Sequence, residues 1–485
     1  MLISQLLHGF VNNIEKLPNL EVTGLALDSR KVEPGFLFFA LHGERADAAT
    51  YLVKAIQSGA SIILSETPLA IDKVMHIVVP DLAAHIGEIA SRFYNDPSHQ
   101  LQITAVTGTN GKTTVAYLLS QAHNALGKPS AYIGTLGAGK IGNLTDTGMT
   151  TPGPIELQRF CHDFVMHGLD DLVMEASSHA LDQHRLAGLH VKHAIYTNLT
   201  HDHLDYHPSF EHYAASKARL FQMPDLAAII INRDDRNHQK MLANVDAKVK
   251  IFGYGIHTQA DIHVKDLHWT LAGMKLQLGS PWGDVALELG LLGQFNVYNA
   301  LAVFACLMAE GYALNQVIKV MTSLEAAPGR MQVCANKPLV IVDYAHTPDA
   351  LENALKTLKK FKDDTQAGNL WVVFGCGGDR DAFKRPIMGK IAQQFADFVI
   401  VTSDNPRHED PAIIMNQITQ NMPLHGHLLQ IEDRKLAILT ALEQAKADDL
   451  ILIAGKGHED YQVIGDNKLY FSDQAIVSAF FSNKE

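Results

Sequence analysis

Thr107-Gly108-Thr109-Asn110-Gly111-Lys112-Thr113-Thr114 decides how this chain reads, because the residues on either side suit it. Residues 101–106 are short, mostly apolar and partly β-branched, and predict a buried strand. After the stretch, Val115, Leu118, Leu119, Ala122 and Leu126 recur at helical spacing until Gly127, a helix stop. Strand, glycine-rich turn and helix form the context that a phosphate-binding loop requires. The first N–H groups of a helix are unpaired and its dipole is positive there, so phosphate oxygens are attracted to that end. Lys112 is placed to reach the terminal phosphates, and the Thr113 hydroxyl suits a Mg²⁺ ligand. The general pattern asks for glycine at position 106, where Val106 stands, so the loop is read as a nucleoside triphosphate loop of an unusual subtype.

The chain has 485 residues, too many for one core, and roughly two to four domains are expected. Its formal charge of −12 argues against general binding of nucleic acid or an anionic membrane. Any anionic ligand must then be held by local basic groups or a metal ion. Cys161, Cys306, Cys334 and Cys376 are scattered without a CxxC pair, which fits a reducing compartment and no structural zinc. The sequence does not open with a basic segment followed by a long apolar one, and the apolar run 300–309 stops at Glu310, too short to span a bilayer. A cytoplasmic monomer that binds neither nucleic acid nor membrane is expected.

Residues 1–98 read as a small α/β unit, with strands over 22–27, 36–41, 61–64 and 77–79 and a helix over 51–58. Its loops Asp28-Ser29-Arg30 and Gly43-Glu44-Arg45-Ala46-Asp47 are, on composition alone, solvated turns. Asn95-Asp96-Pro97-Ser98 is a turn cluster and marks a boundary. From 99 to 330, alternating strands and helices predict a mainly parallel sheet covered on both faces. A strand over 172–174 ends in Glu175-Ala176-Ser177-Ser178-His179, and a carboxylate there is well placed for Mg²⁺. A strand over 193–197 leads to Asn198 and the histidine-rich run through His207. His201, His203 and Asp205 match the start of a binuclear zinc hydrolase motif, but Tyr206 stands where the next histidine belongs, so a Mg²⁺-linked role is more economical. By itself Lys217, in a helix expected over 210–221, reads as a surface lysine, and Asn296 as a helix cap.

Residues 331–485 alternate strand and helix again. Strands over 339–342, 370–374, 399–402 and 450–453 run into four polar loops. These are Asp343-Tyr344-Ala345-His346, Gly375-Cys376-Gly377-Gly378-Asp379-Arg380, Asp404-Asn405-Pro406-Arg407 and Gly455-Lys456-Gly457-His458-Glu459-Asp460. Ligand groups are thereby expected on one edge of a sheet. The second loop is not a dinucleotide fingerprint, since Arg380 stands where G-x-G-x-x-G needs its last glycine.

Taken together, and in this order, the motifs resemble the Mur ligases of bacterial cell-wall synthesis along nearly the whole chain. The matching stretches are the ATP loop 107–114, the acidic strand end 174–179, the histidine segment 198–207, Gly329-Arg330 and Asp343-Tyr344-Ala345-His346. The last three loops match the branch of the family that adds the third residue to a UDP-muramoyl dipeptide. The resemblance implies an α/β protein of three domains: 1–98 for the UDP-muramoyl end, 99–330 a central P-loop parallel-sheet ATPase, and 331–485 a Rossmann-like domain for the amino acid. It implies that Gly108, Thr109, Asn110, Gly111, Lys112, Thr113, Thr114, Asn296, Arg330 and Asp343 hold ATP. Leu27, Ser29, Glu44, Arg45 and Ala46 would contact the uridine nucleotide, and Thr150, Thr151, Ser177, Gln183 and Arg185 the muramoyl dipeptide. Where the family often has Asn before the paired threonines, this chain has Met149. Arg380, Asp404, Asn405, Pro406, Arg407, Gly455 and Glu459 would hold the amino acid, meso-diaminopimelate, because the D-N-P-R form goes with that substrate.

The implied reaction makes an amide while ATP becomes ADP and phosphate, through an acyl phosphate. Lys112, Glu175, His203 and Lys217 would be catalytic, and Mg²⁺ would be held by Thr113, Glu175, His203 and a carboxylated Lys217. Binding residues on three domains imply closure around the substrates. Two rivals fit less well. A folylpolyglutamate synthetase would share the ATP loop but lack the set 404–407. A guanine-nucleotide switch would need Asp where Leu339 follows Asn336-Lys337-Pro338.

Overall fold

A computed structural model describes residues 1–12, 14–41, 48–257, 259–270, 273–422 and 427–482. The chain is α/β and divides into two compact units, residues 1–254 with 305–311, and residues 255–304 with 312–485. By contacts, residues 255–304 and 312–330 therefore group with the C-terminal part of the chain.

The first unit contains two sheets. Strands Gly24–Ala26, Phe36–Ala40, Ile62–Ser65 and Met75–Val78 form a parallel sheet in chain order. Leu37, Phe39, Ile62 and Leu64 lie under Leu82, Ile86 and Ile89 of the helix Leu82–Phe93. The second sheet runs Lys250–Gly255, Ala228–Asn232, Val191–Tyr196, Gln102–Thr107, Asp171–Glu175 and Ser130–Gly134, all parallel. Its strands are apolar without alternation because helices cover both faces, as buried parallel strands require. An antiparallel hairpin, Gly137–Lys140 with Asn143–Thr145, extends the edge. Register places the chemistry: Val106 pairs with Glu175 and Thr107 with Tyr196, so the phosphate loop, the acidic strand end and the histidine segment leave one edge together.

The second unit holds the sheet Gln332–Asn336, Leu339–Asp343, Leu450–Ala454, Leu370–Phe374, Phe398–Val401 and Leu428–Gln430, parallel except for its first pair. Asp343 pairs with Ala454 and Phe374 with Val401, so the four polar loops begin at the same edge. Along its central strands, successive side chains alternate between two apolar layers: Ile341, Val372 and Leu452 face one, Val342, Val373 and Ile453 the other.

The helix that follows the loop 343–346 is Pro348–Thr365, capped by the Thr347 hydroxyl accepting from Ala350 N at 3.3 Å. The helix expected over 210–221 is α only for Phe210–Ala218 and tightens to a 3₁₀ turn over Arg219–Gln222. One stretch departs from the parallel expectation. Ile262–Thr270, Gly273–Gly279 and Val285–Leu289 form an antiparallel meander in the second unit. It is half-buried with polar residues outward, and its alternation signals a different kind of sheet from the runs around it.

Candidate active site

The phosphate loop is locked by the segment leaving the neighbouring strand. Thr109 N donates to Asn198 O at 2.8 Å, Asn110 N to Asn198 Oδ1 at 3.0 Å, and Thr197 Oγ1 to Asn110 O at 2.6 Å. Gly108 has φ of 151°, and a Cβ there would come within 1.9 Å of Thr197 Oγ1, so only glycine allows this approach. Gly111, at φ 87°, caps the helix Lys112–Ala125, which places Thr113 and Thr114 in its first turn with both buried. The helix N-terminus and loop amides thus face one place, as an anion site requires.

Two lysines converge on the same carbonyl. Lys112 Nζ donates to Gly108 O and Thr109 O at 3.0 Å each, and Lys217 Nζ to Gly108 O at 2.8 Å. Lys217 is 1% exposed, and its Nζ stands 4.7 Å from the centre of the Tyr213 ring. Burial, reinforced by Lys112 and opposed by Asp202, pushes the Lys217 amine well below its ordinary range. A neutral amine is the form that reacts with carbon dioxide. What reads in the sequence as a surface lysine is therefore a buried one at the loop.

Glu175 is fully buried. Its Oε1 accepts from Tyr132 OH at 2.6 Å and Thr135 N at 2.8 Å, while Oε2 takes a long bond from Thr135 Oγ1 at 3.3 Å. Oε2 therefore keeps lone-pair capacity for a cation. His203 has φ of 53°, a costly conformation for a non-glycine residue, and its ring lies 5.0 Å from that of His179. Burial holds the His203 imidazole below its usual pKa, with Asp202 opposing and Lys112 and Lys217 adding to the shift, which favours the neutral form that a metal ligand needs. The threonine hydroxyl and the carboxylate at one strand edge are oxygen donors that fit a hard divalent ion, and the His203 imidazole stands beside them as a softer one. The zinc hydrolase pattern is not assembled. Among the described residues, the His/Cys/Asp/Glu groups with ligand atoms within 4.8 Å of one another are Asp182 with His207 and His212, and His193 with Cys306 and Glu310.

Beside the acidic strand end, Arg185 gathers the expected dipeptide residues. Its Nη1 donates to Thr151 O at 2.7 Å, its Nη2 to Gln183 Oε1 at 2.7 Å, and Nη1 also meets Met149 Sδ at 3.4 Å. Met149 thus contributes through sulfur. Thr151 Oγ1 donates to Glu175 O and accepts from Ser177 N, Thr150 Oγ1 lies 3.3 Å from Thr135 Oγ1, and Ser177 Oγ caps the turn Ser178–Asp182. Farther along the unit, Leu27 and Ser29 line a cavity of about 750 Å³ with Phe38, Tyr51 and Leu52. Ser29 Oγ is buried without a hydrogen-bond partner, a polar group awaiting one. Glu44, Arg45 and Ala46 lie outside the described residues.

In the second unit, Arg330 lies with its guanidinium 4.9 Å from the Tyr344 ring centre. Asp343 accepts from Met331 N at 2.7 Å and Ala345 N at 2.9 Å, and burial raises its pKa against the pull of Arg330. Asn296 uses its amide locally, at the start of the helix Gln294–Ala309: Nδ2 donates to Leu292 O, just before the helix, at 2.7 Å, and Oδ1 accepts from Asn299 at 2.9 Å.

The residues expected to hold the amino acid lie close together. Arg407, at φ 52°, donates through Nη1 to Gly378 O at 2.7 Å. A Cβ on Gly377 would sit 3.0 Å from Arg407 Nη1 and 3.8 Å from Arg380 Cγ, so both arginines flank that glycine. A Cβ on Gly455 would sit 3.2 Å from Asp404 Oδ2, and Pro406 O presses against Gly378. Asn405 Nδ2 donates to Glu459 Oε2 at 2.9 Å. Sequence reasoning assigned no role to Lys456 or Arg385. Lys456 lies at the centre of the acidic group, and Arg385, fully buried, ties Gly377 O at 3.0 Å to the Glu409 carboxylate. A basic residue in a glycine-rich loop was the available signal for Lys456, and nothing local marks Arg385.

Residues 106–307 match the Mur ligase middle domain, 329–457 the Mur ligase glutamate ligase domain, and 21–94 the Mur ligase family catalytic domain. The chain is 42% identical over 484 residues to a UDP-N-acetylmuramoyl-L-alanyl-D-glutamate–2,6-diaminopimelate ligase of Haemophilus influenzae, covering 96% of this chain and 98% of that one. Identity to the protein of the same name from Chromobacterium violaceum is also 42%, over 94% of each. A solved structure bearing that name superposes with a TM-score of 0.78 at 40% identity, covering 100% of this chain and 99% of the other. A folylpolyglutamate synthase of Mycobacterium tuberculosis shares the fold at 18% identity, with a TM-score of 0.62 over 77% of this chain and 92% of its own.

Proposed function

The chain belongs to the Mur ligase family, and we propose that it is the ATP-dependent ligase that adds meso-diaminopimelate to UDP-N-acetylmuramoyl-L-alanyl-D-glutamate, with release of ADP and phosphate. The observation that carries this reading is the second unit's loop cluster. It sets Arg407 and Arg380 against Gly377 and a carboxylate pair, Asp404 and Glu459, around Lys456. A ligand with an ammonium and a carboxylate at its far end complements such a site. The three domains are taken as 1–98, 99–330 and 331–485.

The carboxylate of the dipeptide is a poor electrophile, so it first takes the terminal phosphoryl group of ATP to become an acyl phosphate. Gly108, Thr109, Asn110, Gly111, Thr113 and Thr114 hold the phosphates through loop amides and hydroxyls, and Lys112 offsets repulsion between the two approaching anions. Asn296, Arg330 and Asp343 are the further ATP residues. Thr113, Glu175, His203 and Lys217 would hold Mg²⁺, which supplies charge neutralisation on the transferring phosphoryl group. Lys217 enters that set as a carbamate, an anion in place of an ammonium beside a dication. Leu27 and Ser29, with Glu44, Arg45 and Ala46, take the uridine nucleotide. Thr150, Thr151, Ser177, Gln183 and Arg185 hold the dipeptide so that its carboxylate faces the loop.

The amine of the amino acid then attacks the acyl carbon, and collapse of the tetrahedral intermediate expels phosphate. Asp404 and Glu459 take the far ammonium, and Arg407, with Arg380, its carboxylate. The enzyme is assigned to the cytoplasm, where its nucleotide substrates are made; among the described residues no helix is long and apolar enough to cross a membrane. The test is ADP release with UDP-muramoyl-dipeptide and each candidate amino acid. ADP release with meso-diaminopimelate and little with lysine supports the reading, and equal use of the two refutes it.

A further inference from the structure

Lys456 is fully buried and carries no assigned role. Its Nζ donates to Asn405 Oδ1 at 3.0 Å and to Glu459 Oε2 at 3.2 Å, and lies 3.5 Å from Asp404 Oδ1. Asp404 Oδ1 is buried and has no hydrogen-bond partner, so the Lys456 ammonium is the cation closest to offsetting it. Asn405 closes the network: its Oδ1 also accepts from Val463 N at 3.0 Å, and its Nδ2 donates to Glu459 Oε2. Both donors to Glu459 fall on Oε2, which leaves Oε1 for an outside ammonium. Asn405 spends its amide oxygen and one amide N–H inward, on Lys456, Val463 and Glu459.

We propose that Lys456 is a specificity-determining positioning residue, a built-in counter-cation that makes this site reject amino acids with an uncompensated second ammonium. The proposal rests on reading the cluster as the diaminopimelate site. The charge arithmetic is simple. Asp404 and Glu459 carry two negative charges and Lys456 one positive, so Lys456 halves the negative charge of the pair before any ligand arrives, and Arg380 and Arg407 stand beside them with Asp379 near Arg407. Diaminopimelate brings two ammoniums and two carboxylates and is neutral. Lysine brings an extra positive charge to carboxylates that Lys456 already partly offsets. Like-charge juxtaposition of that kind discriminates strongly. Without Lys456 the two carboxylates would be uncompensated and would welcome a lone ammonium, while the far carboxylate of diaminopimelate would meet a more negative surrounding.

Lys456→Met keeps the stem and removes the charge. Expected are a fall of about tenfold or more in kcat/KM for diaminopimelate, and an equal or larger fall in its ratio to kcat/KM for lysine. KM for ATP and for UDP-muramoyl-dipeptide should stay within about twofold. A merely structural lysine would lower both amino acids alike, so an unchanged ratio overturns the proposal. If Lys456→Met does not fold, Asn405→Ala takes over the test, since it frees Glu459 and Lys456 from their shared partner. A severalfold fall in the ratio of kcat/KM for diaminopimelate to that for lysine supports the proposal, and an unchanged ratio overturns it. Failure of the unmodified protein to use diaminopimelate at all would instead sink the functional reading, so the two failures are distinguishable.

Discussion

The phosphate loop and the amino-acid cluster both sit at the carboxyl edge of a parallel sheet, but they are made of different material. In the first, specificity lies in the backbone. Gly108 and Gly111 take φ values closed to other residues, and a helix N-terminus supplies the field. In the second, it lies in side-chain charge: Lys456, Asp404, Asn405 and Glu459 hold one another, and Arg385 with Glu409 holds the glycine loop beside them. A backbone site needs only a short contiguous stretch of sequence. A charge network is drawn from distant segments, Asn405 and Glu459 being 54 residues apart. On the proposed reading, the first kind binds a group common to many enzymes, and the second selects one amino acid among similar ones.

The largest expected effect tests the second region. Arg407→Ala should erase discrimination between diaminopimelate and lysine that can reach about 10⁴-fold, because the half-buried guanidinium that lysine leaves without a carboxylate no longer exists to penalise it. Measuring kcat/KM for both amino acids decides it; if the ratio stays at its original value, Arg407 does not read the far carboxylate. Next comes the first region. Lys112→Ala should lose roughly 10²–10³ in kcat with the melting temperature retained, by analogy with removal of one preorganised donor. Near-normal turnover in a folded variant would take the loop out of the chemistry.

Lys217 sharpens the contrast, since it is a side chain on which the backbone site depends. Lys217→Ala should lose activity by a factor on the order of 10² or more, and a small added carboxylate should restore part of it by occupying the vacated anionic place. Lys217→Arg keeps a cation there, and normal turnover in that variant would remove the carbamate from the mechanism.

Two stability measurements follow. Arg434 and Asp473 are both fully buried and joined by two bonds of 2.8 and 2.7 Å. Asp473→Ala would leave a buried guanidinium without its carboxylate, at about 3–5 kcal/mol, read by denaturant unfolding. The smallest effect concerns the first unit. His123 Nε2 lies 2.8 Å from Glu310 Oε2, with Asp171, His193, Cys306 and Thr104 around the pair. Burial would depress His123, but the Glu310 bond and charge override it and raise the imidazole above 6.5. Burial would likewise raise Glu310, but His123 pulls it below 4.5. The histidine's contribution is complete below 6.5 and fades as pH rises through its raised folded value; the glutamate's is complete above 4.5 and fades as pH falls through its lowered one. The pair should therefore stabilise most between those values. Glu310→Gln should remove about 1 kcal/mol there and flatten the pH profile of the melting temperature. A profile unchanged by the substitution would show that the pair does not titrate with folding.

The strands beside the motifs were legible because buried parallel strands are continuous apolar runs: those expected over 101–106, 339–342, 370–374 and 450–453 lie within a residue of the observed ones, while Ala228–Asn232, equally buried, was not named. The meander 262–289 was missed, since half-buried antiparallel strands alternate polar and apolar residues and carry a weaker signal per residue. Met149 had no evident role until Arg185 was seen to meet its sulfur.

By itself the sequence determined what is local: the glycine positions of the phosphate loop, the helix that follows, and the order of motifs that marks the family. Those features depend on φ/ψ limits and on periodicity over a dozen residues. Only the tertiary structure decided that Lys217, 109 residues from Gly108, is buried against its carbonyl, and that Lys456 is the fully buried centre of an acidic cluster. The reason is physical. Whether a lysine is a solvated surface charge or a desolvated one is set by neighbours from other strands, and no spacing along the chain records which neighbours those are.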